Sequence, residues 1–218
     1  MAEESQSLSF RGIRVHFRVC APEDRPVERG MLLSSPLISS FHWRKVVPEL
    51  VQLGCLTVCI DLPGFGRSDC SRDVPQDGVM RANMLWGVLD EIDRQSDAPD
   101  SMWHLIGHGS AAAAIMMMTL YQADSVKSRV LISPVFDRFM PYPLQLLLET
   151  PVGKKLIDLW FRKKILDRRG FAILVRRVYG GRVSKARMEA LRRSICRRGM
   201  PDTLARLMRE GYRLPENA

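Results

Sequence analysis

The chain is predicted to fold as a three-layer α/β/α domain. Its sheet is mostly parallel, opens with an N-terminal hairpin and is followed by a helical segment. Three observations lead there. Short apolar runs alternate with stretches of helical period from residue 13 to residue 134. Within residues 103–112, an apolar run passes through two glycines into an alanine- and methionine-rich stretch, which reads as strand, sharp turn and helix. Beyond Tyr142 only helical patterns remain. A chain of 218 residues with 46% apolar content suits one domain, or one with a small appendage, around a proper core.

The elements follow in order. Ile13, Val15, Phe17 and Val19 alternate with Arg14, His16 and Arg18, the period of a half-buried strand. On this pattern His16 faces solvent. Arg11-Gly12 is a hairpin turn from a partner strand at Leu8 to Phe10. Met31 to Leu33 is a short strand. Trp43, Val46, Val47, Leu50 and Val51 follow a helical period that closes at Gly54, with its first turn near Pro48. Leu56 to Ile60 is a buried strand, with Cys59 in the core. The stripe of Met80, Met84, Leu85, Val88, Leu89 and Ile92 marks one face of a helix. The strand and helix of residues 103–123 come next, then a strand from Arg129 to Pro134. The triplet Met116-Met117-Met118 reads as helix packed into a core, or as the lining of a flexible acyl pocket. After Leu144, Leu147 and Leu148, helical patterns recur around Leu156 to Leu166, Phe171 to Val175, Arg187 to Arg198 and Thr203 to Gly211.

Charge divides the chain. The net charge is +9, but residues 1–150 carry 14 basic and 18 acidic side chains, against 19 and 5 in residues 151–213. So large a break near Thr150-Pro151 marks a second structural unit, and the expected division is 1–140 and 141–218. The basic excess points to an anionic partner, ligand or membrane surface met through residues 151–213. No specific nucleic-acid motif accompanies it. Five scattered cysteines suggest reduced thiols, and the N-terminus is polar and acidic; both fit a cytoplasmic setting. Neither a metal site nor a cofactor motif is expected. Gly64-Phe65-Gly66 lacks the strand-to-helix placement of a phosphate loop and reads as a turn.

The ten residues Trp103 to Ala112 have the shape of a nucleophile elbow, which usually reads Gly-x-Ser-x-Gly. Here Gly107 holds the first position and Gly109 the nucleophile's, with Ser110 one residue late. Taken with Asp61-x-x-Gly64-x-Gly66-x-Ser68-Asp69, Trp43 and Leu105-Ile106-Gly107-His108, the chain resembles the α/β-hydrolase family over roughly residues 7–213. The resemblance implies a helical cap after Pro141. It implies a nucleophile on the elbow, a histidine base, an orienting acid and backbone donors for an oxyanion. Carried over, Ser110 is the candidate nucleophile, His42 the base and Asp137 the acid. Ser35, Gly109 and Ala111 would line the oxyanion pocket. Ser110 as a helix cap is the alternative.

The family's acid and histidine usually lie after the cap, whereas the four histidines here are His16, His42, His104 and His108. His104 and His108 read as structural. Ser34-Ser35-Pro36 stands where the family commonly has His-Gly-x-Pro. The last strands of the usual sheet are expected to be missing, which would leave the strand at 129–134 as an apolar edge open to self-association. Three readings stay open: a hydrolase of an ester, amide or similar bond in a small apolar substrate; a non-catalytic member that binds a ligand or docks to an anionic surface; and a chain that lacks its catalytic half.

Overall fold

In the computed structural model, residues 2–36, 38–71, 74–96, 102–135, 150–179, 181, 183–195, 199, 200, 203, 206 and 207 are described. Strand β1 (Ala2–Phe10) and strand β2 (Ile13–Ala21) form the hairpin, in antiparallel register from Ala2 opposite Ala21 to Phe10 opposite Ile13. Arg11 and Gly12 both take positive φ, 48° and 83°, the backbone of a tight two-residue hairpin turn. β1 is far longer than the three residues its apolar pattern suggests. Its first half is polar and is held by pairing along β2 rather than by burial.

β3 (Glu28–Leu33), β4 (Cys55–Ile60), β5 (Trp103–His108) and β6 (Val126–Ile132) complete a six-stranded sheet in the order β1-β2-β4-β3-β5-β6. β2 pairs antiparallel with β4; β4, β3, β5 and β6 are mutually parallel. All six residues of β4 are buried, as a central strand covered on both faces requires. β6 is the outer strand of the described sheet, and its Val130 and Ile132 are exposed at 44% and 40%.

The stretch around Trp43 is not one helix. A 3-10 turn covers Ser40–Lys45, and α1 (Val47–Gln52) starts anew with Pro48 in its first turn, where a missing N–H costs nothing. α2 spans Gly78–Gln95, with the Asp77 carboxylate accepting from the Met80 N–H at 2.8 Å as N-cap. α3 spans Ala111–Tyr121. Residues on alternate sides of the strands split the interior. Leu32 and Cys59 pack with Trp43, Val47 and Val51 on one face. Met31, Leu33, Val58 and Ile60 pack with α2 and α3 on the other. Met117 and Met118 lie in that second core, while Met116 is half-buried.

The basic region supplies α4 (Pro151–Leu166), α5 (Arg168–Tyr179) and α6 (Lys185–Ile195). Phe171, Val175, Met200 and Leu207 are buried in the same core as α2 and α3. On α4, Leu156, Leu159 and Trp160 are exposed. Leu144, Leu147, Leu148 and most of the expected helix at 203–211 lie outside the described residues. No described helix is long and apolar enough to cross a membrane.

Candidate functional site

The elbow is built by small residues. β5 ends at His108, and Gly109 takes φ +62°, a left-handed backbone that side-chain-bearing residues adopt at a cost. The Gly109 N–H donates to the Ile132 carbonyl at 2.9 Å. Its own carbonyl accepts from Ala112 and Val135, both at 3.2 Å, so the turn is fixed from both flanks. At Gly107 a Cβ would lie 2.8 Å from Ile115 Cγ1, so glycine there lets α3 close onto β5. The apex of the bend is therefore Gly109, one residue before Ser110.

The volume in front of that apex is filled. A Cβ placed on Gly109 would overlap the Ser35 hydroxyl oxygen. Ser35 Oγ donates to the His108 carbonyl at 2.9 Å, which holds it there. Ser110 has helical φ and ψ of −73° and −8° and is 4% exposed. It stands at the N-cap position of α3, but its hydroxyl makes no capping bond, so the expected capping role is absent. Ala111 opens the helix, where first-turn N–H groups lack intrahelical acceptors.

His42 projects from the 3-10 turn, and its ring lies 5.1 Å from that of His108 and 5.4 Å from Trp43. Burial holds the His42 pKa below its ordinary value, with smaller pushes from His108, Arg187 and Arg44. Burial does the same at His108, whose Nδ1 is buried without a hydrogen-bond partner. Burial thus biases both rings toward the neutral form. The structure brings His42 and His108 together, and among the described residues no hydrogen bond joins His42 to Ser110. Asp137 lies outside the described residues. His104 is held by Ser128 at 2.6 Å and Glu28 at 3.0 Å, a structural role as expected.

The Asp61-to-Asp69 loop builds a second polar centre that the strand pattern hides. Gly64 and Gly66 have φ of +94° and +56°, and a Cβ on Gly66 would overlap the Asp61 carboxylate. The loop folds back on β2: Asp61 N–H donates to the His16 carbonyl at 3.0 Å, and His16 N–H donates to Ser68 Oγ at 2.9 Å. His16 is consequently 6% exposed, not solvated as its neighbours Arg14 and Arg18 suggest. Its Nδ1 lies 3.1 Å from Asp61 Oδ2, and its Nε2 lies 2.8 Å from Ser5 Oγ. Asp61 also accepts from the N–H groups of Ser40 at 2.7 Å and Arg67 at 3.0 Å. Burial alone would raise the Asp61 pKa, but the His16 bond and these two amides outweigh it and hold it low.

This centre forms part of the wall of a cleft of about 1160 Å³, bounded by the hairpin, the 3-10 turn, the Asp61 loop and α6. Six arginines line it, Arg14, Arg18, Arg44, Arg67, Arg187 and Arg193, against the carboxylates of Glu3 and Asp61. Several of the cations are already engaged: Arg18 with Glu3 at 2.7 Å and the Ser40 carbonyl at 2.9 Å, Arg14 with Asp69 at 3.4 Å. His42 is in the wall; Gly109 and Ser110 are not. Among the described residues, no three His, Cys, Asp or Glu side chains converge as metal ligands.

Comparison with known proteins agrees with this architecture. A haloalkane dehalogenase from Bradyrhizobium elkani superposes with a TM-score of 0.69 at 18% identity, over 96% of this chain and 69% of its own. The thioesterase domain of the curacin biosynthetic pathway gives 0.67 at 18% identity, over 99% and 76%. An epoxide hydrolase gives 0.65 at 16%, over 96% and 74%. At such identities the likeness is one of fold. No curated protein matches in sequence. The model of the α/β hydrolase family matches residues 33–214, which takes in the elbow, the Asp61 loop and the basic helices. By sequence and by fold, the chain belongs to the α/β hydrolase family.

Proposed function

We propose that the elbow of this chain is catalytically silent, and that the protein binds a small anionic ligand in the arginine-lined cleft. One observation carries the reading: the left-handed apex is Gly109, and the room a side chain would need there is taken by Ser35 Oγ. A nucleophile must project from that apex to meet both a base and the oxyanion donors. Ser110 follows the apex, is buried and has helical geometry, so its hydroxyl does not take that position.

The cleft supports the binding half of the reading. Guanidinium groups from the hairpin, the 3-10 turn, the Asp61 loop and α6 outnumber carboxylates there by six to two. Arg14, Arg18 and Arg193 pair with Asp69, Glu3 and Glu189, and Asp61 spends its charge on His16 and two backbone amides, so a phosphate or carboxylate is drawn to the Arg44 and Arg187 side of the cleft. The test is calorimetric titration with inorganic pyrophosphate at low and high salt. Binding that weakens with salt is expected. It should also weaken about tenfold or more in Arg44→Ala or Arg187→Ala, since one charge-assisted hydrogen bond is worth ~1.5–3 kcal/mol. Affinity for anionic lipid vesicles with none for pyrophosphate would replace the small ligand with a membrane surface. Covalent capture of Ser110 by a fluorophosphonate would overturn the silent elbow.

A further inference from the structure

The hairpin register places Ser5 and Ser7 of β1 on the same face as His16 and Arg18 of β2, with Ser7 directly opposite His16 and Ser5 opposite Arg18. From its diagonal position Ser5 reaches His16. The chain Ser5 Oγ to His16 Nε2 is 2.8 Å, and His16 Nδ1 to Asp61 Oδ2 is 3.1 Å. Ser5 is exposed at the cleft, while His16 and Asp61 are 6% and 3% exposed. An ionised Asp61 only accepts, so it fixes the proton on Nδ1 and leaves Nε2 to accept the Ser5 hydroxyl proton. Three groups from three distant stretches, at residues 5, 16 and 61, thus stand in the order that activates a serine. They do so away from the elbow, in a cleft whose wall also carries six arginines.

We propose that Ser5 is a nucleophile activated by His16 and oriented through Asp61, and that it cleaves acyl esters carrying an anionic group. The proposal rests on the cleft reading for its substrate class. Ser5 Oγ attacks the acyl carbonyl as its proton passes to His16 Nε2. The ester C–O bond breaks, and the leaving alcohol takes that proton. Water then attacks the acyl carbonyl and gives a proton to His16; the acyl–Oγ bond breaks, His16 passes that proton to Ser5 Oγ, and the carboxylic acid leaves. Water is the co-substrate, and no oxidant or metal is needed. Arg44 and Arg67, in the same cleft wall, hold the anionic group and offset charge on the carbonyl oxygen.

The experiment treats the full chain with a fluorophosphonate probe and maps the labelled peptide by mass spectrometry. In parallel, p-nitrophenyl hemisuccinate is compared with the neutral p-nitrophenyl butyrate. Expected are a label on Ser5 and faster turnover of the anionic ester. Both should vanish in Ser5→Ala and fall about 100-fold or more in His16→Gln. Ser5 is exposed on an outer strand, so Ser5→Ala keeps the fold and remains decisive where His16→Gln does not fold. An unlabelled Ser5 in protein that still binds pyrophosphate overturns the nucleophile and leaves the cleft reading standing. A labelled Ser5 in protein that ignores pyrophosphate and prefers the neutral ester supports the nucleophile and overturns the cleft reading. Labelling of Ser5 that persists in His16→Gln overturns the relay.

Discussion

Gly109→Ala should destabilise the protein through two separable effects. A left-handed backbone at a residue with Cβ costs ~1–2 kcal/mol. The new methyl also overlaps Ser35 Oγ, and overpacking of this kind costs ~1–3 kcal/mol. The single variant should therefore lose about 2–5 kcal/mol, a large part of a domain's ordinary stability. Ser35→Gly removes the obstructing hydroxyl and loses its bond to the His108 carbonyl, ~0.5–1.5 kcal/mol, with some added backbone entropy. In the double variant the overlap is gone but the φ cost stays. Its loss should fall short of the sum of the singles by about 1–3 kcal/mol. Urea denaturation of the four proteins, followed by fluorescence and circular dichroism to check for a single transition, gives the coupling energy. Strict additivity would refute the claim that Ser35 fills the vacated side-chain space.

Other outcomes follow from the same structure. Stability should decline as pH falls below about 6.5, because the unfolded chain takes up protons that His42 and His108 refuse while folded; the loss levels off below their folded pKa values. Urea midpoints between pH 8 and pH 5 measure this, and a midpoint that rises on acidification would contradict the burial of these rings. Asp61 acts in a lower window: its contribution is intact above its ordinary value of 3.8 and is lost as pH drops from there through its depressed folded value. Asp61→Asn should accordingly flatten the acid limb. Cys59, with burial pushing its thiol up to about 12, should resist a disulfide reagent until the protein unfolds, whereas the half-buried Cys70 reacts in the native state; peptide mapping reads the order. We also propose that the edge strand β6 mediates self-association, so Ile132→Lys should lower the sedimentation-measured association constant without shifting the unfolding midpoint.

The sheet was legible because its strands bear strong local marks. β4 is an unbroken apolar run buried throughout, and β2 shows the apolar alternation of a strand, although His16 is buried between Val15 and Phe17. The bend at Gly109 was legible for the same reason: two glycines between an apolar strand and an alanine-rich helix admit few other geometries. What failed to show locally depends on partners remote in sequence. The polar residues of β1 look like a solvated tail until β2 is seen to pair along all nine residues of the strand. His16, set between two arginines, looks exposed until the Asp61 loop returns to cover it. The helix expected around Trp43 divides because proline can start a helix but not continue one. Ser110 occupies a capping position without making the bond, a matter of hydroxyl orientation that no spacing rule reaches.

The burial of Phe171, Val175, Met200 and Leu207 alongside Leu85 and Ile115 has a mechanical consequence. A gene fragment ending near Thr150 would not release a tidy half-molecule; it would strip a wet wound along the flank of α2 and α3. By the same token, the arginine-rich region and the sheet share one apolar interior through these four side chains, so loss of either exposes the other's hydrocarbon to water.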